Sequence, residues 1–200
     1  MFEATNQSMF AILNAPEGTS DQVVFIAKIA AEWLLYLVAL LMVLGWVWRG
    51  DLVRRALFNA GLAAVLGLAF NQVIRSFWEH PRPFAAGFGQ QFLEHAADAS
   101  FPSDHGTILF SIAFGLLLSK VGREAGGVVM LMALATAWAR VFLGVHWPLD
   151  MVGSFGVGLI SALLVSYVIK GPVNAGYGLG MQLYRWLIDA LHLPPSIFPR

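Results

Sequence analysis

The chain has 200 residues, no cysteine, a formal net charge of zero, and 58% hydrophobic against 12% charged residues. Soluble domains carry about 25% charged residues, so this composition excludes an ordinary cytosolic fold, and the neutral balance argues against a nucleic-acid partner. Without cysteine there are neither disulfides nor thiolate metal sites. The length suits one membrane domain, residues 1–200, with about five helical spans and six as the upper count, at roughly 20 residues each.

In chain order, an amphipathic stretch from Phe2 to Leu13 comes first and is expected to lie at the membrane surface. Five apolar blocks follow, at about Val23–Trp48, Ala56–Ile74, Thr107–Leu118, Gly126–Val145 and Leu149–Ile169. The first lacks a basic leader and a small-residue cleavage site, so it is expected to stay as a span. None shows strict alternation, so helices are preferred over barrel strands, and the fold class is all-α, a polytopic membrane bundle. The third block is short for a span. Gly153, Gly156, Gly158 and Ser161 are expected to let the last helix pack closely. A second amphipathic stretch, Met181–Leu191, is again expected at the surface.

Basic residues follow the first block (Arg49, Arg54, Arg55), the third (Lys120, Arg123) and the fifth (Lys170, Arg185, Arg200). With five spans these groups share one side, which the positive-inside rule makes cytoplasmic, C-terminus included. Arg75, Arg82 and Arg140 then fall on the outer side, where the rule disfavours them and another reason for them is needed. Lys28 and Glu32, four apart inside the first block, are expected to neutralise each other. Trp78 and Trp147 read as interfacial aromatics, and His80, His95 and Glu94 as solvated surface groups.

Three segments on that outer side hold the unusual polar residues: RSFWEHPRP with Arg75 and Arg82, PSDH with Ser103, Asp104 and His105, and RVFLGVHWPLD with Arg140, His146 and Asp150. Guanidinium offers planar paired donors that match phosphate oxygens. A helix N-terminus after PSDHGT adds backbone N–H groups. Histidine can attack phosphorus or move a proton near neutral pH, and a carboxylate four residues after His146 can hold an imidazole in one tautomer. Asp104 has two readings: an N-cap of the following helix, or a charge that keeps His105 protonated.

The three spacings, Arg-x6-Arg-Pro, Pro-Ser-x-His and Arg-x5-His-x3-Asp, resemble the signature of the type 2 phosphatidic acid phosphatases across residues 75–150. That signature reads Lys-x6-Arg-Pro, Pro-Ser-Gly-His, Ser-Arg-x5-His-x3-Asp, so Arg75, Asp104 and Ala139 depart from it. Within the superfamily, FLEHAADASFPSDHGT and WARVFLGVHWPLDM look closest to undecaprenyl-diphosphate phosphatases of the bacitracin-resistance type. The resemblance implies that His146 is the nucleophile and becomes phosphohistidine. It further implies that Asp150 orients His146 and that His105 protonates the leaving group and then activates water. Arg75, Arg82, Ser103 and Arg140, with Asp104 beside them, would form the substrate-binding set. It implies no cofactor and no metal, a polyprenyl diphosphate partner within the bilayer, and an outward-facing site in a bacterial inner membrane. Other lipid phosphatases (acting on phosphatidylglycerophosphate, phosphatidate or diacylglycerol diphosphate), lipid A phosphotransferases and a headgroup-binding or transport protein stay open as alternatives.

Overall fold

A computed structural model describes residues 2–194 and 198; Arg200 of the basic groups lies outside the described residues. Among these residues all regular structure is helical. Helix α1 is Phe2–Leu13, α2 Asp21–Trp48 and α3 Asp51–Phe77. After a long loop with a single 3₁₀ turn at Phe84–Ala86 come α4 (Asp104–Leu117), α5 (Arg123–Phe142) and α6 (Pro148–Val168). Helix α7, Lys170–Ala190, closes the chain. Helices α2, α3, α5 and α6 are long and apolar enough to cross a membrane, and α4 is apolar but short, as the block lengths anticipate.

The bundle is built around that short helix. Nine of the 14 residues of α4 are buried, and α3, α5 and α6 pack around it. At about 1.5 Å per residue it reaches roughly 21 Å, less than the roughly 30 Å hydrocarbon thickness. Protein rather than lipid covers its flanks, so the shortfall exposes no backbone to hydrocarbon.

Close approach depends on small side chains. A Cβ on Gly106 would meet the Ser154 Cβ at 2.9 Å, and one on Gly158 would meet Phe110 at 2.8 Å. Of the small residues on α6, Gly158 faces α4 and Gly153 receives the Phe101 ring, whereas Gly156 faces open space. Large apolar side chains point outward instead, among them Phe25, Ile26, Trp33, Leu131 and Ile160. Small residues inside and large ones outside is the pattern of helices packed in lipid, where association gains little from burying leucine.

Helix α2 contains a π turn at Ile29–Trp33. Such a turn interrupts the regular hydrogen-bond ladder. Here the carbonyls of Ala30 and Ala31 receive Thr136 Oγ1 at 2.7 Å and Arg140 at 3.3 Å from α5. The expected Lys28–Glu32 pair is not formed, since no ion pair joins them among the described residues. An i, i+4 pair relies on regular α geometry between its members, and the π turn occupies that interval.

The terminal helices do more than lie on a surface. Asn6 of α1 is buried, and its Oδ1 accepts from the Leu149 backbone N–H in the first turn of α6 at 3.1 Å. Phe10 packs on Trp147 with ring centroids 5.0 Å apart. Trp147 is only 1% exposed, and its Nε1 donates to the Pro81 carbonyl at 2.8 Å. It is therefore an internal anchor tying α1 and the α3–α4 loop to α6, not the interfacial aromatic expected of it. Trp78, 51% exposed, does sit at the protein surface.

Candidate active site

The chain runs up and down, so the ends of α3 and α5 and the starts of α4 and α6 share one end of the bundle. Pro148 opens α6 at its first position, where its missing N–H costs nothing. Asp150 then falls in the first turn. Its Oδ2 accepts the Trp147 N–H at 2.8 Å, the His146 Nδ1–H at 3.0 Å and the hydroxyl of Ser100. Ser100 lies 3.3 Å from the same imidazole nitrogen. These donors fix the tautomer: Nδ1 carries the proton and Nε2 keeps its lone pair.

Nε2 faces Arg82, whose Nη1 lies 3.1 Å away. Arg82 is 3% exposed. It also donates to the Val145 carbonyl at 2.8 Å and, through Nε, to Asp98 at 2.8 Å. Burial, reinforced by the charges of Arg140 and Arg82, holds the pKa of His146 well below the ordinary histidine value. The imidazole is neutral and oriented, a state in which Nε2 can act as a nucleophile. Gly144, at φ +80°, makes the turn that carries His146; a Cβ there would collide with the Gln90 carbonyl.

Arg140, in the last turn of α5, is 1% exposed. Among the described residues, the one hydrogen bond of its guanidinium is the 3.3 Å contact to the Ala31 carbonyl, and its buried Nε has no partner. A buried guanidinium has five donors to satisfy, so this one is built for an acceptor that the protein does not supply.

The PSDH segment starts α4. Ser103, not Asp104, is the N-cap: its Oγ accepts from Gly106 N at 3.4 Å, and its carbonyl accepts from Thr107 N and Ser154 Oγ. Its hydroxyl proton is left to donate elsewhere. Asp104 stands one residue later and grips Arg75 with both oxygens, at 2.7 and 3.0 Å, while Asn71 donates to it at 2.8 Å. Arg75 spends a further N–H on the Pro102 carbonyl at 2.8 Å. The two departures from the general signature thus compensate one another: the longer cation on α3 is matched by a carboxylate on α4. The third departure, Ala139, is buried against Ala27, Ala31 and Leu93, where a hydroxyl would face apolar neighbours.

His105 is half-buried and lies within electrostatic range of Arg140, His95, Asp104 and Arg82. The structure therefore brings His146, Asp150, His105, Ser103, Arg82 and Arg140 to one end, with Arg75 and Asp104 bracing the loop beside them. Ser100, Asp98 and Asn71 were not read from the sequence as site residues. Asn71 offered a signal, being an amide in an apolar helix one turn before Arg75.

A neutral, oriented imidazole, two buried guanidiniums and a helix N-terminus form a receptor for a phosphoryl group at one end of an apolar helical bundle. Fold and site together define an integral membrane enzyme of the lipid phosphatase class. The chain belongs to the PAP2 superfamily, whose model matches residues 56–172. It is 34% identical over 194 residues to YbjG of Escherichia coli (strain K12), covering 97% of this chain and 96% of that one. It is 30% identical to Undecaprenyl-diphosphatase BcrC of Bacillus subtilis (strain 168), over 82% of this chain and 84% of the relative. The crystal structure of Aquifex aeolicus LpxE superposes with a TM-score of 0.66 at 21% identity, over 79% of this chain and 92% of that one.

Proposed function

We propose that the protein hydrolyses undecaprenyl diphosphate to undecaprenyl phosphate and inorganic phosphate through a phosphohistidine at His146. The observation that carries this is the orientation of His146: Nδ1–H donates to Asp150, and the Nε2 lone pair faces Arg82, both side chains being buried. The names of the relatives supply the lipid. In the first step Nε2 attacks the terminal phosphorus and the bond to the bridging oxygen breaks. His105 gives that oxygen a proton. In the second step His105 takes a proton from water, the resulting hydroxide attacks phosphorus, and the P–N bond breaks to return His146. Arg82, Arg140, the Ser103 hydroxyl and the first turn of α4 hold the three equatorial oxygens. Asp150 stabilises the imidazole as it becomes cationic.

The apolar flank suits a polyprenyl tail that stays in the bilayer while its headgroup reaches the arginines. Arg49, Arg54, Arg55, Lys120, Arg123, Lys170 and Arg185 at the opposite end support a cytoplasmic placement of that end by the positive-inside rule, and with it an outward-facing site. Purified protein given undecaprenyl diphosphate, phosphatidate and phosphatidylglycerophosphate in parallel should release phosphate fastest from the first, and equally well in EDTA. A faster rate on either phospholipid would replace the substrate assignment. His146→Ala should neither turn over nor form an acid-labile phosphoenzyme; a phosphoenzyme persisting in that variant would displace the nucleophile. For orientation, Ala86→Cys should react with a membrane-impermeant thiol reagent from outside intact cells and Ala125→Cys should not. The reverse labelling would invert the protein.

A further inference from the structure

One histidine near the reaction centre has no part in that scheme. His95, in the loop between α3 and α4, presents its ring edge-on to that of His146, with centroids 6.1 Å apart and an interplanar angle of 74°. Its Nδ1 lies 3.2 Å from the Ala96 carbonyl and 3.8 Å from the Asp98 carboxylate. Nδ1 therefore carries the proton, and Nε2 has no protein partner among the described residues. The same carboxylate holds Arg82, which in turn faces the nucleophile. His95 is also within electrostatic range of both His146 and His105, and so stands near both ends of the bond that breaks. It borders an open cavity of about 540 Å³ with Gln91 and Glu94, adjoining one of about 560 Å³ walled by Lys28.

An imidazole that served only to pack the loop would not be held half-buried, with one nitrogen committed and the other free, beside two arginines. Desolvation and the neighbouring charge of Arg82 lower its pKa. A diphosphate brings several negative charges and inverts that balance. The reacting phosphoryl group must sit on Nε2 of His146, between Arg82 and Arg140. The bridging oxygen points to His105, and the next phosphate lies beyond it. At 6.1 Å the edge-on rings of His95 and His146 pack against each other, so a phosphate taken by the open Nε2 of His95 lies beside the ring pair and not between the rings. Glu94 on the rim repels anions, so the attraction comes from the imidazole and not from the cavity as a whole.

We propose that His95 binds the second phosphate of a diphosphate substrate, the one that leaves with the lipid, and so makes the site prefer diphosphates to monophosphates. This rests on the polyprenyl diphosphate reading above. The test uses the full chain in detergent with two ligands of identical tail, farnesyl diphosphate and farnesyl phosphate, and with inorganic pyrophosphate and orthophosphate as inhibitors. In His95→Gln and His95→Ala, kcat/KM for farnesyl diphosphate should fall about tenfold, chiefly through KM, as loss of one charge-assisted hydrogen bond predicts. Inhibition by pyrophosphate should weaken by a similar factor. Farnesyl phosphate turnover and orthophosphate inhibition should stay within about twofold, which also shows that the variants are folded. Parallel losses on both ligands, or no loss on either, would overturn the role of His95 and leave the diphosphate reading standing. Wild-type protein that releases phosphate from farnesyl phosphate but not from farnesyl diphosphate would overturn the diphosphate reading itself, and this inference with it.

Discussion

Both ends of the bundle bury arginines, and they treat them differently. At the end away from the site, Arg54 is 2% exposed and held by several acceptors. Its Nε donates to the Trp46 carbonyl at 2.8 Å, and its Nη2 contacts the Val47 carbonyl at 3.4 Å and Tyr184 Oη at 3.3 Å. Its guanidinium also lies 4.7 Å from the centroid of the Tyr184 ring. It caps the C-terminal carbonyls of α2 and clamps α7 in place. Arg55 next to it is exposed and only holds α7, stacked on Tyr177 and donating to Asn174. Arg140 is as deeply buried as Arg54, but among the described residues its guanidinium has one 3.3 Å hydrogen bond. Burial of a charge without acceptors is costly, and folding gains nothing from leaving it so. A satisfied arginine holds helices together; an unsatisfied one has donors to spare for an anion.

The largest expected effect breaks the polar network at the site end. Asp150→Asn should cut kcat by roughly 10³–10⁴, because an amide no longer fixes His146 with its proton on Nδ1. Thermal stability should change little beside that loss. A variant with more than a tenth of wild-type activity would show that Ser100 and the helix start suffice to orient the imidazole. The next effect tests the two arginines against each other. Arg140→Ala should lower kcat/KM by about 10²–10³ with only a small change in unfolding temperature. Arg54→Ala should do the opposite: activity per folded molecule within about twofold, and a stability loss of about 1–3 kcal/mol from the orphaned carbonyls of Trp46 and Val47. Matching stability losses in both would erase the distinction between anchoring and waiting arginines.

Much of this was legible in the sequence, for identifiable reasons. Span positions follow from local hydrophobicity, and α1 and the five blocks emerge within a few residues of their predicted bounds. The spacings around Arg82, His105 and His146 put those residues at one end because alternating helices must bring every second junction together. Contacts between distant segments left no such trace. Ser100 reaches Asp150 fifty positions away, and nothing local separates it from Ser103, which caps α4 instead. Trp147 carries the composition of an interfacial aromatic, and only the docking of α1 makes it internal. The π turn of α2 has no marking residue; its role is visible only once Arg140 is seen donating to Ala31. Asp104 was read as a cap or a tuner of His105 because its partner, Arg75, lies 29 positions upstream.

That pair gives the third prediction. Arg75→Lys and Asp104→Gly should each lower kcat/KM by roughly tenfold, the first by weakening a bidentate grip, the second by leaving Arg75 unpaired beside the site. The double variant should lose less than the product of the two, a coupling of about 1–3 kcal/mol. Additive losses would mean that the two departures do not compensate each other and that Arg75 acts on substrate independently of Asp104.

The smallest expected effect is a pH dependence of stability confined to the site end. His146 is held neutral in the folded protein, with its pKa pushed down by burial and by Arg140 and Arg82. In the unfolded chain it titrates near the ordinary value of about 6.5. Its folded pKa lies lower, so the unfolded state binds the extra proton as pH falls through that value. Stability is therefore present above about pH 6.5 and declines below it, by at most about 1.4 kcal/mol per pH unit for one proton. His146→Gln should flatten the fall in unfolding temperature between about pH 6.5 and 5, while Arg54→Ala should lower the curve without changing its slope. An unchanged slope in His146→Gln would mean that the acid sensitivity arises elsewhere and that His146 takes up a proton in the folded state. A protonated Nε2 has no lone pair to offer phosphorus, so the same titration curve bears on stability and on the proposed nucleophile at once.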